Sequence, residues 1–534
     1  MKIKQNLTCS LLGIVFAACC NLSFAGENGK NSAIEDTMSG VRPSQLEPFE
    51  RVTKNIYQAP SRKDLKEFLI TDHGAKEGGE VLCTVAIQKT IDAAAAAGGG
   101  IVIIPKGTFL SGTIVLTDNI RLHLEKDAVL LGSPWIREYP PQKPATPARY
   151  SVWLMRSLIF AQNASNISVT GEGTLNGNSQ VENDFKSGER KIKHRPTLIW
   201  FDECKNTHIQ GVSLTSAGFW TQVYTRCKNL HVDGIRVYDS NFSNNDGCDI
   251  LDCEDVLVEN CDIDSMDDGI CLKGYTREGC RNVVIRNNRV RSLCNAIKAG
   301  TDSSGGFRNI LIENNTIHNT GISGLALEVV DGGEMSNVII RNITMERVHT
   351  PIFIKLGNRN RPLYLPDGSM EKVATGTIRG VHISGIKATV HKCKRFTEKE
   401  TAHNYRVYAS SITGVGKHNV ENVTIENVEI EILGGFTECT EKDAARVIPD
   451  NGRRYPENRM FGVLPAYGFY VRHVKGLTMK NVNVTIKRKD ARPAIVLDDV
   501  HDSQLSVTAK GVTDTPTFVK KANCTHVTTV SKPK

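Results

Sequence analysis

The sequence predicts an all-β solenoid, a parallel β-helix, and a recurring phrase carries this prediction. A nine-residue phrase returns along the chain, and each copy holds two short β-rich runs separated by Asn or Gly. Asn and Gly tolerate the left-handed backbone that a tight bend requires. Successive copies begin 23, 26, 27, 27 and 28 residues apart up to residue 337, which is the spacing expected of one coil per copy. The copies begin at Asn206, Asn229, Asp255, Asn282, Asn309, Asn337 and Asn422.

A column of cysteines precedes the phrases by two residues and supports the same fold. We interpret the column as an inward-facing stack in the core. Twelve cysteines follow residue 25, so disulfides stay open as an alternative in an exported protein, although side chains stacked in register rarely offer the torsion of a disulfide. The sequence holds no Cys-x-x-Cys pair, and no metal site is predicted. The column comprises Cys204, Cys227, Cys253 and Cys280, followed by Phe307 and Met335.

The amino-terminal segment resembles a secretion signal. Residues 1–25 contain Lys2 and Lys4, then an apolar run, and end in Ser-Phe-Ala, the small-x-small pattern of signal peptidase cleavage. We therefore predict a signal peptide at residues 1–25, an N-terminal arm at 26–60 and a β-helix catalytic domain at 61–530, with a periplasmic or secreted location. An imperfect lipoprotein box ends at Cys19, so a lipid anchor there is an alternative. No later run of ~18 apolar residues predicts a membrane span.

Charge and composition limit the classes of partner. The formal charge of +8 falls to +6 when Lys2 and Lys4 are removed, a mildly basic balance that suits a polyanion. The basic residues are scattered and form no nucleic-acid signature, so nucleic acid is not an expected partner. We expect a monomer.

Elements outside the phrases complete the predicted architecture. An alanine-rich helix at residues 86–97, ended by glycines, is expected to cap the open end of the solenoid. The spacing loosens after residue 345, and loops are predicted near residues 359–371, 392–408 and 436–461. Long loops on one face of a solenoid usually form its binding wall.

Two acidic motifs lie about one coil apart. Asp246 and Asp267 are separated by twenty-one residues, each in a cluster closed by glycine, and Asp268 follows directly. This spacing predicts that Asp246 and Asp267 lie on adjacent rungs, and that a bend at Gly269 lets Asp268 share their cleft. Crowded carboxylates repel, so at least one pKa should rise and leave a proton donor beside a charged base. Glycosidic hydrolysis needs that pair. Calcium binding in a lyase and solvated turns are the alternatives.

The chain resembles the polygalacturonase family, glycoside hydrolase family 28, from about residue 71 to residue 500. The motifs are those at residues 72–75, 98–109 and 122–133, together with the two acidic clusters. The resemblance implies a right-handed, pectin-lyase-like single-stranded β-helix and inverting hydrolysis of α-galacturonosyl linkages without a metal or another cofactor. It implies Asp267 as general acid, Asp246 and Asp268 as the residues that hold the attacking water, and Asn244 as an orienting group. Asn245 stands where the family usually has threonine.

Two departures from the family pattern concern substrate binding. The Gly-His-Gly motif falls near residues 293–296, which places Asn295 where the histidine is expected. The Arg-Ile-Lys motif falls at residues 326–328, so both cations that grip the substrate carboxylate are missing and Glu328 replaces the lysine. We predict that lysines of one column flank Glu328 instead, namely Lys273, Lys298 and Lys355, with a solvated ion-pair ladder as the alternative. Trp220 is a candidate sugar platform, with packing against the sheet as the alternative.

These observations predict an exported hydrolase of pectic polysaccharide or oligosaccharide that acts near chain ends. A hydrolase of rhamnogalacturonan or another branched pectin is the first alternative. A non-catalytic solenoid that only binds polysaccharide is the second, and the three intact carboxylates argue against it.

Overall fold

The computed structural model describes residues 40–152, 154–179, 195–239, 243–391, 409–432, 440–511 and 518–533. Val41–Lys534 forms one compact unit. The predicted signal peptide, Cys19 and the loop at 392–408 lie outside the described residues. No helix in the described ranges has the length and apolar character needed to span a membrane.

The described chain contains three α-helices and a long series of strands. The helices are α1 (Pro43–Asn55), α2 (Thr84–Ala96) and α3 (Glu441–Ala444). The first strands are β1 (Glu67–Leu69), β2 (Gly100–Ile104), β3 (Gly107–Ser111), β4 (Ile114–Leu116), β5 (Ile120–Leu124), β6 (Ala128–Gly132), β7 (Ser157–Gln162), β8 (Ser165–Gly171), β9 (Thr174–Asn176), β10 (Thr197–Asp202), β11 (Lys205–Gln210) and β12 (Ser213–Thr215).

The central and last coils continue the series. The central strands are β13 (Gln222–Thr225), β14 (Lys228–Asp233), β15 (Arg236–Asp239), β16 (Cys248–Leu251), β17 (Glu254–Glu259), β18 (Asp262–Ser265), β19 (Ile270–Gly274), β20 (Cys280–Arg286), β21 (Arg289–Ser292), β22 (Ile297–Ser303), β23 (Phe307–Glu313), β24 (Thr316–His318) and β25 (Ser323–Val329). The last are β26 (Glu334–Val348), β27 (Thr350–Leu356), β28 (Leu363–Tyr364), β29 (Met370–Glu371), β30 (Thr377–Val390), β31 (Ser410–Thr413), β32 (Val420–Ile432), β33 (Phe469–Ile486), β34 (Ile495–Gly511), β35 (Val519–Ala522) and β36 (Thr525–Pro533).

These strands wind into a right-handed parallel β-helix with three faces, as the sequence predicted. Each strand pairs in parallel with its equivalent in the next coil, so one coil rises by about 4.8 Å. The site face contains β4, β7, β10, β13, β16, β19, β22, β25, β27 and β31. The ladder face contains β2, β5, β8, β11, β14, β17, β20 and β23, and the third face contains β3, β6, β9, β12, β15, β18, β21 and β24. From β26 onward, single long strands cover more than one face. Only β28 and β29 pair antiparallel, among the strands described.

An asparagine ladder explains the recurring phrase. The residue that opens each copy has φ between 50° and 57°, the left-handed conformation that Asn adopts more readily than most side chains. Side-chain amides of these residues donate to the residue one coil below, as Asn229 does to Asn206 at 2.8 Å and Asn309 to Asn282 at 2.8 Å. The phrase therefore encodes both the bend and the bond that stacks one bend on the next.

The interior is filled by aligned apolar columns. Cys280 pairs in register with Phe307, and Phe307 with Met335. Cys204, Cys227 and Cys253 continue this column, and all of its members are buried with the described thiols free. The interpretation of the column as core packing is confirmed.

The amino-terminal part of the unit covers two surfaces of the solenoid. Helix α2 places Ile87, Ile91 and Ala94 in the main core, and it contacts the first coil strands β2, β4 and β5, as expected of a capping helix. The segment from α1 to residue 60 crosses the ladder face, where the Tyr57 N–H donates to Asn229 Oδ1 at 2.8 Å and the Ala59 N–H donates to His208 Nδ1 at 3.0 Å.

Candidate active site

The acidic motifs lie at the corners where the chain enters the site face. Asp246 precedes β16, and Asp267 and Asp268 precede β19. The Gly247 N–H donates to the Asp268 carbonyl at 2.8 Å, and the Gly269 N–H donates to the Asn295 carbonyl at 2.8 Å. Asp246, Asp268 and Asn295 therefore occupy equivalent corners of three successive coils.

The register at this corner differs by one residue from the sequence prediction. The Asp267 N–H donates to the Asn245 carbonyl at 3.2 Å, so Asp267 stacks on Asn245, and Asp268 stacks on Asp246. The offset between β16 and β19 is twenty-two residues, since Cys248 pairs with Ile270. All three carboxyl groups still share one corner, because the stacking keeps Asp267 directly beside Asp268.

The glycines that close the motifs serve close packing. A Cβ at Gly247 would lie 2.6 Å from the Gly269 carbonyl oxygen, and a Cβ at Gly269 would lie 2.4 Å from the Ala296 carbonyl oxygen. Neither glycine has the positive φ that a left-handed bend would need. The expected bend at Gly269 is therefore replaced by a close approach between coils.

Buried lysines neutralise part of the acidic corner. The Lys273 Nζ lies 3.4 Å from Asp246 Oδ2 and contacts Asp249 Oδ1. The Lys298 Nζ lies 3.0 Å from Asp268 Oδ2 and 4.0 Å from Glu328 Oε2. Each ammonium group thus lies between two carboxyl groups.

The environments of Asp246 and Asp268 move their pKa values in opposite directions. Burial raises the pKa of Asp246, and the nearby Asp249 and Asp267 carboxylates raise it further against the opposing effect of Lys273. Burial also opposes ionisation of Asp268, but Lys298, Lys273 and a hydrogen bond from Asn295 outweigh it and lower the pKa of Asp268. The Asn295 side-chain amide donates to Asp268 Oδ1 at 2.8 Å. Two stacked carboxyl groups, one favouring its proton and one favouring its charge, are the arrangement that acid–base catalysis uses.

The predicted lysine column is wrong for Lys298. Lys298 pairs with Cys271 and Ala326, whereas Glu328 pairs with Lys355. Ile297 aligns with Ile270 and Leu325, so the Ala-Ile-Lys phrase lies two residues earlier in the coil than its resemblance to the other phrases suggested. Inside–outside alternation is unchanged by a two-residue shift, and Lys298 still faces outward beside Glu328.

Lys355 takes a different environment from the other two lysines. Its side chain is fully buried, and its Nζ donates to the carbonyls of Gly414 and Asp450 at 3.2 and 3.1 Å. Burial lowers the pKa of Lys355 to about 7. A substrate contact by Lys355 stays a prediction, and the geometry is that of a structural group.

The other predicted binding residues border the same corner. Asn244 is half-buried with φ 64° in the turn before Asp246, and its neighbour Asn245 is buried and donates to the carbonyls of Ala217 and Phe219 at 3.1 and 2.7 Å. The ring of Trp220 is 6 % exposed, stacks on Phe219, and lies 4.5 Å below the Lys273 Nζ. Trp220 therefore adopts the packing alternative and supports the lysine from beneath.

Two contributors were missed by sequence reasoning. Asp249 on β16 is fully buried, and burial raises its pKa to about 6 despite the contact with Lys273. Its only sequence signal is an acidic residue at an outward position two residues after the Gly247 corner. Tyr455, in the loop at residues 440–464, is 54 % exposed, and its ring centroid lies 5.5 Å from the Lys298 Nζ. An irregular loop gives no period from which to predict that contact.

Apolar clusters covered by loops flank the polar corner along the site face. Toward the amino terminus, Tyr150 and Leu154 pack over Trp200, Val223 and Tyr275. Toward the carboxyl terminus, the segment 440–464 brings other residues over Phe353 and Tyr470, namely Ile448, Phe461 and Leu464. The loops predicted near residues 359–371 and 436–461 thus border this face in their described parts. The polar corner is walled on two sides.

Arginine–aspartate pairs lie at the carboxyl ends of the site-face strands, at the opposite end from this corner. Arg149 and Arg361 both contact Asp302 Oδ1 at 2.9 Å, and Arg359 pairs with Asp331. The Tyr275 hydroxyl donates to Asp302 Oδ2 at 2.9 Å. These cations each have an acidic partner within the protein.

At this corner, two groups of donor atoms are close enough to be considered as metal ligands. Asp246, Asp249 and Cys271 place donor atoms within 4.8 Å of one another, as do Asp267, Asp268 and Cys294. The ammonium groups of Lys273 and Lys298 already contact carboxylates of these groups, and a positive charge at that distance opposes a cation. The donor sets therefore fit lysine-neutralised carboxylates better than a metal centre.

Comparisons with known proteins agree on one family. Residues 104–443, more than half of the chain, match the glycosyl hydrolases family 28. A probable polygalacturonase from Vitis vinifera is 29% identical over 220 residues, covering 38% of this chain and 43% of the grape protein. An exo-poly-alpha-D-galacturonosidase from Dickeya chrysanthemi is 33% identical over 116 residues, covering 20% of this chain and 19% of that protein. The chain therefore matches less than half the length of these curated relatives.

Solved structures support the fold. The hyperthermoactive exopolygalacturonase of Thermotoga maritima has a TM-score of 0.56 at 21% identity, covering 73% of this chain and 94% of that one. The family 28 exopolygalacturonase of Yersinia enterocolitica has a TM-score of 0.55 at 19% identity, covering 88% and 79%. With residues 104–443 matched to the family and the acidic corner in place on a parallel β-helix, the chain belongs to glycosyl hydrolases family 28.

Proposed function

We propose that the protein is an exo-acting, inverting hydrolase of α-galacturonosyl linkages in pectic polysaccharide or oligosaccharide. The observation that carries the proposal is the corner of Asp246, Asp267 and Asp268, where two stacked carboxyl groups have pKa values displaced in opposite directions. Asp267 is the general acid for the leaving oxygen, as the family resemblance implies. Asp268, kept ionised by Lys298 and Asn295, accepts a proton from water that Asp246 helps to hold.

Exo action is supported by the walls of the corner. A chain-end enzyme needs a closed pocket, and the covered apolar clusters limit the open length of the site face on both sides. Tyr455 adds a partly exposed ring above Lys298. The similarity to an exo-poly-alpha-D-galacturonosidase and to two exopolygalacturonase structures is consistent with this proposal.

Export is part of the proposal and rests on the sequence of residues 1–25. A pectic polymer is too large to enter a cell intact, so export would give the protein access to a polymeric substrate. Amino-terminal sequencing of the protein recovered from its native compartment should begin near Gly26. A protein that retains Met1, or one acylated at Cys19, would contradict the predicted cleavage.

A second candidate is a hydrolase of branched pectin with an uncharged sugar at the cleavage site. Glu328 stands where the family has a lysine, and Lys298 is shared between Asp268 and Glu328. Lys273 is likewise shared between Asp246 and Asp249. Within the described part of this corner, both lysines already contact two carboxyl groups each, which weakens the expected binding of a uronate.

Product analysis separates the two candidates. The mature protein is incubated with homogalacturonan, rhamnogalacturonan I and rhamnogalacturonan II, and the products are identified by mass. Early release of galacturonate alone from homogalacturonan supports the galacturonosyl proposal, and a ladder of oligomers contradicts exo action. Release of products from a branched pectin only favours the second candidate. Early NMR spectra should contain the β anomer, and an α product contradicts inversion.

A further inference from the structure

A second polar cavity lies where the site-face strands end. Its volume is about 570 Å³, within the roughly 300–1,000 Å³ typical of small-molecule sites. Asp252, directly after β16, lines it, whereas Asp246 lies directly before that strand. Six residues of extended chain separate them by about 20 Å. This cavity is therefore separate from the acidic corner.

Two buried polar atoms in the lining have no protein partner. Asp252 is 4% exposed, and its Oδ1 accepts the N–H groups of Tyr275 and Thr276 at 2.8 and 3.1 Å. Its Oδ2 has no hydrogen-bond partner, and neither has the Oγ1 of Thr276, which is 2% exposed. Buried polar groups are normally hydrogen-bonded. Asp252 and Thr276 therefore bring two unsatisfied polar groups to the lining of one cavity.

The walls of the cavity are held in place by the protein itself. Arg226 contacts Glu203, and it donates to the Thr146 carbonyl at 3.2 Å and to the Tyr150 hydroxyl at 3.1 Å. The Tyr364 N–H donates to the Tyr275 carbonyl at 2.9 Å, which fixes the loop that carries Pro366. The rim of the cavity is therefore already ordered in the free protein, so ligand binding would not have to order these side chains.

The charge of the lining is balanced. Four cationic and four acidic side chains line the cavity, and several pair with each other. Glu254 is 2.8 Å from Lys228 and 2.8 Å from Arg281. None of the described lining residues is aromatic. The lining therefore has equal numbers of cationic and acidic side chains and no ring for an apolar or planar ligand.

We propose that this cavity binds an uncharged saccharide unit, at a site distinct from the acidic corner. Sugar hydroxyl groups both donate and accept, so one unit can donate to Asp252 Oδ2 and bond to Thr276 Oγ1. Burial raises the pKa of Asp252 to about 7, so near neutral pH this carboxyl group carries only part of a negative charge. Neutral sugars of a branched polysaccharide are ligands of this class.

The test measures binding of two disaccharides, neutral galactobiose and acidic digalacturonate, by calorimetric titration of the full-length chain. The protein carries Asp267→Asn to prevent turnover. Thr276→Val keeps the shape of the side chain and removes only the unpartnered hydroxyl. Thr320→Val is the matched control, because the Thr320 hydroxyl is equally buried and unpartnered but does not line the cavity. Asp252→Asn, which keeps an oxygen for the two backbone N–H groups, is a second variant.

We expect galactobiose to bind, and Thr276→Val and Asp252→Asn to weaken its binding about 5- to 10-fold, the effect of one lost hydrogen bond between uncharged groups. Thr320→Val should bind within about twofold of the parent, and the cavity variants should leave digalacturonate binding unchanged. The proposal is overturned if galactobiose does not bind, if Thr276→Val binds it as the control does, or if the cavity variants weaken digalacturonate instead.

Discussion

The Nζ of Lys298 lies 3.0 Å from the Oδ2 of Asp268, and both side chains are almost fully buried. Removing one member of a buried ion pair leaves an uncompensated charge, which costs about 3–5 kcal/mol. The same contact lowers the pKa of Asp268. The stability of the fold and the ionised state of Asp268 therefore both depend on Lys298.

Lys298→Met should destabilise the protein by about 3–5 kcal/mol in denaturant unfolding at pH 7. A depressed carboxyl pKa contributes stability above the unfolded value near ~3.9, and this contribution is lost as pH falls through the lower folded value. The difference in unfolding free energy between wild type and Lys298→Met should therefore narrow only at acid pH.

The pH dependence of the rate should also change. In Lys298→Met the acid limb of the pH–rate profile should move to higher pH, because Asp268 loses its cation. Lys475→Met, which breaks a pair that is about half exposed, should cost ~0–1 kcal/mol; equal losses in both variants would contradict the role of Lys298.

Glu328, which stands where the family has a lysine, is expected to make the stability of the protein depend on pH. Burial raises the pKa of Glu328 to about 8, whereas an unfolded glutamate ionises near ~4.3. The folded state therefore retains a proton that the unfolded state releases, and wild-type stability should fall as pH rises from about 4 to 8. Glu328→Gln removes this dependence, so its advantage over wild type should grow between pH 5 and pH 8 and then level off. The free energies of unfolding of wild type and Glu328→Gln are measured at pH 5, 7 and 9, with Glu346→Gln, at an exposed position, as control. A difference between wild type and Glu328→Gln that stays constant across these pH values would contradict the raised pKa of Glu328.

Lys355→Met separates a structural lysine from a substrate ligand. Because burial lowers the pKa of Lys355 to about 7, the unfolded state binds the proton between about pH 7 and 10.4 while the folded state does not. Wild-type stability gains from rising pH across this window, and the variant should lack that gain. The KM for acidic oligosaccharides should stay within about twofold of wild type. An increase of 10-fold or more would support the substrate-contact hypothesis instead.

Periodic features of the fold were accessible from the sequence. Each coil repeats the same bend, so the Asn at Asn229 or Asn282 marks a left-handed position wherever it recurs. The column through Cys280 and Phe307 was visible for the same reason, since in-register stacking preserves the distance to the bend. A feature that repeats in every coil can therefore be predicted from the sequence without knowing the tertiary contacts.

Features that depend on turn length were less accessible. The stacking of Asp268 on Asp246 follows from a twenty-two-residue offset that only the hydrogen bonds at the corner define. Lys298 lies two residues away from its predicted column because Ile270 and its partner Ile297 are twenty-seven residues apart, two more than the separation of Lys273 and Lys298 on which the column was based. Tyr455 reaches Lys298 from an irregular loop. One residue of uncertainty in a turn is enough to exchange which carboxyl groups are neighbours.

The three carboxyl groups can be assigned separate roles by substitution and by leaving-group chemistry. Asp246→Asn, Asp267→Asn and Asp268→Asn should each lower kcat by roughly 10²–10⁴-fold with little change in circular dichroism, because the fold rests on the ladders and the apolar columns. Asp264→Asn is the control, since Asp264 lies on the preceding strand of the same coil and pairs with Arg291 at the surface.

An activated substrate then identifies the proton donor. A p-nitrophenyl α-galacturonide has a leaving group that needs no protonation, so the variant that lacks the general acid should recover most of its activity on it, whereas a variant that lacks the base should not. We expect recovery for Asp267→Asn and none for Asp268→Asn. Recovery for Asp246→Asn instead would transfer the acid role to Asp246, whose environment favours its protonated form, and activity of all three variants within about tenfold of wild type would remove the corner from the mechanism.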